Sequence, residues 1–185
     1  MDWIAFGIIV AIILFIALWI AGMYNNLVSF SVRVDNGWAQ VDVQLKKRFD
    51  LIPNLVETVK GYASHEKTTL EEVTKWRAAA MSSKTPEEAM ENNAKLSRAM
   101  VNLFATAEQY PDLKANQNFL DLQGQLKDLE SKIAFARQFY NDTAMKYNEY
   151  VMHFPSNIIA SIFHFGQKKY FEVAEADKAV PQVKF

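Results

Sequence analysis

The sequence predicts an all-α protein: an N-terminal transmembrane helix that continues into an antiparallel up-down four-helix bundle with long, coiled-coil-like helices. Three observations carry this. Ile4 to Met23 is an unbroken, uncharged apolar run. A seam of residues spaced alternately by four and three runs from Leu27 to Tyr62. A second such seam runs from Phe119 to Tyr150. About 20 apolar residues suffice to cross a bilayer as a helix, and a 3.5-residue spacing marks one buried stripe on a helix.

The apolar run reads IAFGIIVAIILFIALWIAGM, with Trp3 and Trp19 near its ends. Trp3, Ile4, Trp19 and Met23 mark the expected anchor. A helix satisfies every backbone amide within the segment, as a lipid environment requires. A cleaved leader needs a basic start and a small-x-small cleavage site, whereas Met1-Asp2 is acidic and no such site follows. The first bases beyond the run are Arg33, Lys46, Lys47 and Arg48. By the positive-inside rule they place the N-terminus outside and the helical domain in the cytoplasm.

Composition narrows the rest. Asp2 is the only acid before Tyr24, which leaves 20 acids facing 20 bases in the body. That balance argues against nucleic acid as a partner. With Cys 0, disulfides, thiol nucleophiles and thiolate metal sites are excluded. Gly37, Gly61, Gly124 and Gly166 are too scattered to build a phosphate loop.

The first body helix carries Leu27, Ser31, Val34, Trp38, Val41, Leu45, Arg48, Ile52, Leu55, Val59 and Tyr62 on one face. Two readings fit Pro53. Asp50 caps a fresh helix there, or one helix bends; the unbroken register favours the second. Gly61 to Glu66 reads as a turn. A second helix covers Glu66 to Met81, with Leu70, Val73, Trp76 and Ala80 apolar. Thr85-Pro86-Glu87-Glu88 is a helix start, with Thr85 as cap and Glu88 closing a capping box. The third helix runs to about Gln109 and places Ala89, Asn93, Leu96, Met100, Leu103, Ala107 and Tyr110 on one face. Tyr110-Pro111-Asp112 ends it. The fourth spans Asn116 to Val151, roughly 54 Å at 1.5 Å per residue, and matches the first body helix in length.

Phe154-Pro155 stops the fourth helix. The segment 154–171 is apolar, aromatic and too short to span. Phe154, Ile158, Ile162, Phe163 and Phe165 either lie in the membrane interface or cap the open end of the core. The domains expected are therefore an anchor over 1–23, a helical body over 24–153, this segment, and a flexible tail over 172–185.

Three constellations are candidates for function. Asp50, Asn54, Glu57, His65 and Glu66 suggest a carboxylate metal site, but no Glu-x-x-His occurs, and bundle metal sites are built on that motif. Arg48 stands in the apolar seam with Arg137 on the fourth helix; a lone buried cation is costly, so Glu108 or Glu130 is the expected partner, in a register-fixing role. Tyr24-Asn25, Tyr140-Asn141 and Tyr147-Asn148 repeat a dipeptide. They form a partner-binding strip or, on the favoured reading, a core whose hydroxyls find internal acceptors.

Several long strings then carry a resemblance. The anchor followed by Tyr24-Asn25-x-Leu27-Val28 and Trp38, then QLKKRFDLIPNLVETVKGYASHE, AEQYPDLKANQNFLDLQGQLKDLESKI and ARQFYNDTAMKYNEY, resembles the bacterial LemA family from the anchor to about Gln167. The resemblance implies a membrane-anchored helical domain in the bacterial inner membrane. It implies no enzymatic activity, no cofactor and no catalytic residue. The expectation is a non-enzymatic scaffold that contacts membrane lipid, copies of itself and another membrane protein. The competing classes are a membrane-shaping protein and a small carboxylate-metal enzyme.

Overall fold

The structure, a computed structural model, describes residues 2–171. They form six helices: α1 (Asp2–Lys60), α2 (Lys67–Met81), α3 (Pro86–Ala107), α4 (Pro111–Lys114), α5 (Gln117–Met152) and α6 (Ser156–Ile162). No strand occurs among the described residues, in keeping with the all-α class. The tail expected over 172–185 lies outside them. The described chain forms two compact units. One holds the residues up to Gly37 together with Phe139–Tyr170; the other holds Trp38–Gln138 with Phe171.

α1 is one helix through Pro53, so Asp50 caps nothing; it is exposed in mid-helix. Proline lacks the N–H that would reach back to the carbonyl four residues earlier. That carbonyl belongs to Phe49, which is buried. Arg77 on α2 supplies the missing donor, its Nε lying 2.7 Å from the Phe49 oxygen. The proline's defect is thereby repaired from a neighbouring helix.

In the first unit, the side chains from Trp3 to Leu18 are exposed all round the helix. This is the one helix among the described residues long and apolar enough to cross a membrane. One-sided burial begins at Met23 and continues through Leu27 and Val34. Gly37 ends this stretch at a close approach to α5. A Cβ there would lie 3.1 Å from Thr143 Oγ1 and 3.3 Å from Tyr140 Cα, so a side chain would push the two helices apart.

In the second unit the seam holds from Val41 to Val59, all of whose apolar members are buried. It stops there. Tyr62 is exposed and Ala63 takes the buried place, because the chain has already turned. The Tyr62 hydroxyl accepts from Asn116 Nδ2 at 2.9 Å, while Asn116 Oδ1 caps α5 by accepting from Phe119 N. α2 buries Leu70, Val73 and Ala80; Trp76 is only half-buried. The ring of Trp76 is flanked by Lys75 Nζ at 5.0 Å and Lys95 Nζ at 4.8 Å.

Thr85 caps α3 by accepting from Glu88 N at 3.2 Å. The expected box is displaced by one residue, since the Glu88 carboxylate accepts from Lys84 N instead. α3 stops at Ala107, two residues earlier than expected. α4 is a single turn absent from the sequence reading; it buries Leu113 and ties Lys114 to Glu108.

Arg77 and Pro53 are expected to be energetically coupled. A hydrogen bond from a charged donor contributes about 1.5–3 kcal/mol. Arg77→Met should lose stability on that scale in the parent chain and clearly less in a Pro53→Ala background, where the new backbone N–H at position 53 serves the Phe49 carbonyl. Denaturant melts of the four chains in the cycle measure this; equal losses in both backgrounds would reject the coupling.

Candidate functional site

Three groupings of polar and aromatic side chains stand out, one in the second unit and two in the first.

In the second unit, Arg48 is fully buried. Its seam position on α1 points the guanidinium at α3 and α5. Nη1 donates to Glu130 Oε1 at 2.7 Å and to Ser97 Oγ at 3.1 Å. Nη2 donates to Asn93 Oδ1 at 2.6 Å. Asn93 is itself held by a bond from its Nδ2 to the Ala89 carbonyl. Of the two acids expected, Glu130 is the partner, while Glu108 pairs with Lys114. Arg137 lies close enough to feel this charge. Burial lowers its pKa most, the Arg48 charge adds to that, and Glu130 opposes both. Its guanidinium sits over the Phe171 ring at 5.2 Å, and that ring stacks on Trp38 at 5.8 Å. Arg48 Nε and Arg137 Nε have no hydrogen-bond partner among the described residues. The cluster joins α1 to α3 and α5 through one buried guanidinium and holds a single carboxylate, that of Glu130.

In the first unit, the Tyr-Asn dipeptides of α5 hold the chain's own return segment. Tyr140 Oη donates to the Lys169 carbonyl at 3.0 Å, and Tyr147 Oη to the Gly166 carbonyl at 2.9 Å. Asn148 reads Lys168 from both sides: its Nδ2 donates to the Lys168 carbonyl and its Oδ1 accepts the Lys168 N–H, each at 2.8 Å. Asn148 Nδ2 also reaches Tyr170 Oη, and Lys168 Nζ lies 3.6 Å from Asp35. Burial, then the Asp35 charge, raises the Tyr147 pKa, which keeps the donor protonated. Residues 166–170 thus form a strap clamped to α5 through its main chain. The strip read from sequence is occupied internally. Asn141 is half-buried beside it.

The third grouping gathers where the apolar run of α1 ends. Tyr24 packs its ring 4.8 Å from Phe163 and 5.9 Å from Phe165. Further along, Phe30 pairs with Tyr150 at 5.3 Å, and Arg33 covers Phe30. α6 buries Ser156, Ile159 and Ala160 and turns Ile158 and Ile162 outward. The core-cap reading therefore describes only its inner face.

The acidic constellation weighed as a metal site does not assemble. Asp50 and His65 are exposed, Glu66 accepts from Tyr110 Oη, and Glu57 lies near Lys60. Among the described residues no three His, Asp or Glu side chains are grouped to hold a metal ion. What sequence reasoning missed is the strap's acceptors, which are backbone carbonyls and leave no trace in residue type.

These features define a class: among the described residues, an all-helical protein with one helix of membrane-crossing length and polar clusters buried between helices. The LemA family model matches residues 37–185, and the chain belongs to the LemA family. It is 23% identical over 160 residues to Protein LemA of Metamycoplasma hominis, covering 85% of this chain and 72% of that one. It is also 32% identical over 74 residues to Magnetosome protein MamQ 2 of Paramagnetospirillum magneticum, covering 40% of this chain and 27% of that one. The likeness to Magnetosome protein MamQ of Magnetospirillum gryphiswaldense is the same in extent, 32% over 73 residues.

Two outcomes are expected of these clusters. Breaking a buried ion pair from one side costs about 3–5 kcal/mol. Glu130 is 44% exposed, so water reaches the vacated side and Glu130→Ala should cost about 2 kcal/mol. Arg48→Met removes the buried charge while keeping the apolar stem, and should cost less; thermal melts giving the reverse order would sink the account. Asn148→Ala should free the strap, with amide exchange at Lys168 rising to that of open chain while α5 amides stay protected.

Proposed function

We propose that this chain is a non-enzymatic, membrane-anchored helical scaffold, single-pass, with its N-terminus outside and its helical domain in the cytoplasm. The observation that carries this is the apolar stretch of α1. From Trp3 to Leu18 none of it is buried, and it belongs to the same helix as the buried seam. A core helix would cover such a surface; a bilayer would solvate it. Arg33, Lys46 and Lys47 beyond the stretch support the orientation. Arg48, being buried and paired, drops out of that charge count.

We read the body as an antiparallel four-helix bundle formed by the post-anchor part of α1, with α2, α3 and α5. The hairpin of α2 and α3 and the seams of α1 and α5 support it. Self-association is part of the proposal. Val101 and Leu120 are exposed in the second unit and line one groove with Met100 and Phe104, and exposed apolar residues mark contact surfaces when they cluster. Two relatives named as magnetosome proteins bring no activity with them. Neither the carboxylate-metal reading nor the membrane-shaping one is favoured.

Ile9→Lys combined with Ile13→Lys tests the anchor on the full chain. Each lysine at the centre of a span costs about 3 kcal/mol. The parent should stay in the membrane pellet through an alkaline carbonate wash and the double variant should not. Amine crosslinking in the same membranes should give dimers or larger species from the parent; monomer at every expression level would remove self-association from the reading.

A further inference from the structure

Among the described residues, the outer face of α6 is uncovered. Phe154 is 80% exposed, Ile158 50%, Ile162 60% and Phe163 50%. Ile158 and Ile162 are four residues apart and share one side of α6, and Phe154 is exposed in the turn just before it. The opposite side is already committed, with Ser156, Ile159 and Ala160 buried. α6 is therefore packed on one side and presents Ile158 and Ile162, beside Asn157 and Ser161, on the other.

Its position says what the other face meets. Phe163 and Phe165 pack on Tyr24, and Tyr24 is the first residue after the apolar run of α1. The pair Phe30–Tyr150 follows about 9 Å further along α1 by helical rise. There the surroundings are already polar: Asn26 Nδ2 reaches Tyr150 Oη and Arg33 covers Phe30. α6 thus sits level with the end of the apolar run, where aromatic residues favour the headgroup region.

We propose that α6 is a second membrane contact, lying in the interface of the leaflet from which α1 emerges, with Phe154, Ile158, Ile162 and Phe163 inserted among the upper acyl chains. The occupant is the lipid bilayer. This rests on the reading of α1 as a span. The interface then holds the chain at two points, α1 vertically and α6 along the surface, joined by the rings of Tyr24, Phe163 and Phe165.

The chain contains no cysteine, so single-cysteine variants report cleanly. Ile158→Cys, Phe15→Cys and Glu91→Cys would each carry an environment-sensitive dye in vesicles of phosphatidylcholine and phosphatidylglycerol, with lipids spin-labelled either near the headgroup or near the chain ends. The expected result is quenching at position 158 by the shallow label, at 15 by the deep label, and at 91 by neither. Quenching at 15 without quenching at 158 overturns the α6 contact and leaves the anchor standing. A blue-shifted but unquenched dye at 158 also overturns it, since a second copy of the chain would then be the cover. No quenching at 15 overturns the anchor reading itself. In an Ile162→Asp background, where the exposed position leaves folding intact by circular dichroism, the shallow quenching at 158 should be lost.

Discussion

Pro53 has no N–H to give the Phe49 carbonyl, and the bond from Arg77 supplies a donor there while α1 runs on as one helix. Proline in a helix interior costs about 3 kcal/mol or more through a lost donor and a clash with the preceding turn. α1 carries that defect one turn after Arg48 and within the densest part of the seam, where Leu45, Phe49, Ile52 and Leu55 are all buried. Without an outside donor, the buried carbonyl would favour a break in the helix. The seam residues after the break would then lose their face.

Arg48 and Arg77 solve different problems with the same side chain. Arg77 answers a backbone group. Arg48 brings a charge into the core and answers it with Glu130, Asn93 and Ser97. The planar fork of guanidinium suits this, because its donors leave in fixed directions and demand acceptors from two other helices at once. A one-turn slip of α3 or α5 would leave a buried charge unpaired, while a slip of apolar neighbours alone would cost far less. Arg137, capped by the Phe171 ring, extends the same cluster without adding a second carboxylate.

Much of this architecture is legible in the sequence because period 3.5 survives any tertiary detail. The seam of α1 and the stripe of α5 are of that kind, while the Thr85 start is a local capping signal. The misses have physical causes. α4 is four residues long, shorter than any window in which periodicity can be counted. Tyr62 keeps the spacing but lies past the last helical turn, so its phase no longer means burial. Glu88 has two backbone donors within reach, and its carboxylate takes Lys84 N over Thr85 N. Glu108 and Glu130 are equivalent as acids on facing helices. Only the C-terminal position of Glu108, next to the turn that brings Lys114 close, removes it from contention. The Tyr-Asn repeat shows a real pattern, yet its acceptors are main-chain atoms some 20 residues downstream, where side-chain identity carries no information.

That last feature bears on how the chain can vary over time. Tyr140, Tyr147 and Asn148 grip carbonyls and one amide of the strap, and almost any residue other than proline offers the same atoms. The strap's own letters are then nearly free to drift, while the three residues that hold it are not. Divergence across relatives should fall unevenly, light on α5 at these positions and heavy on residues 166–169, with the bound conformation inherited unchanged.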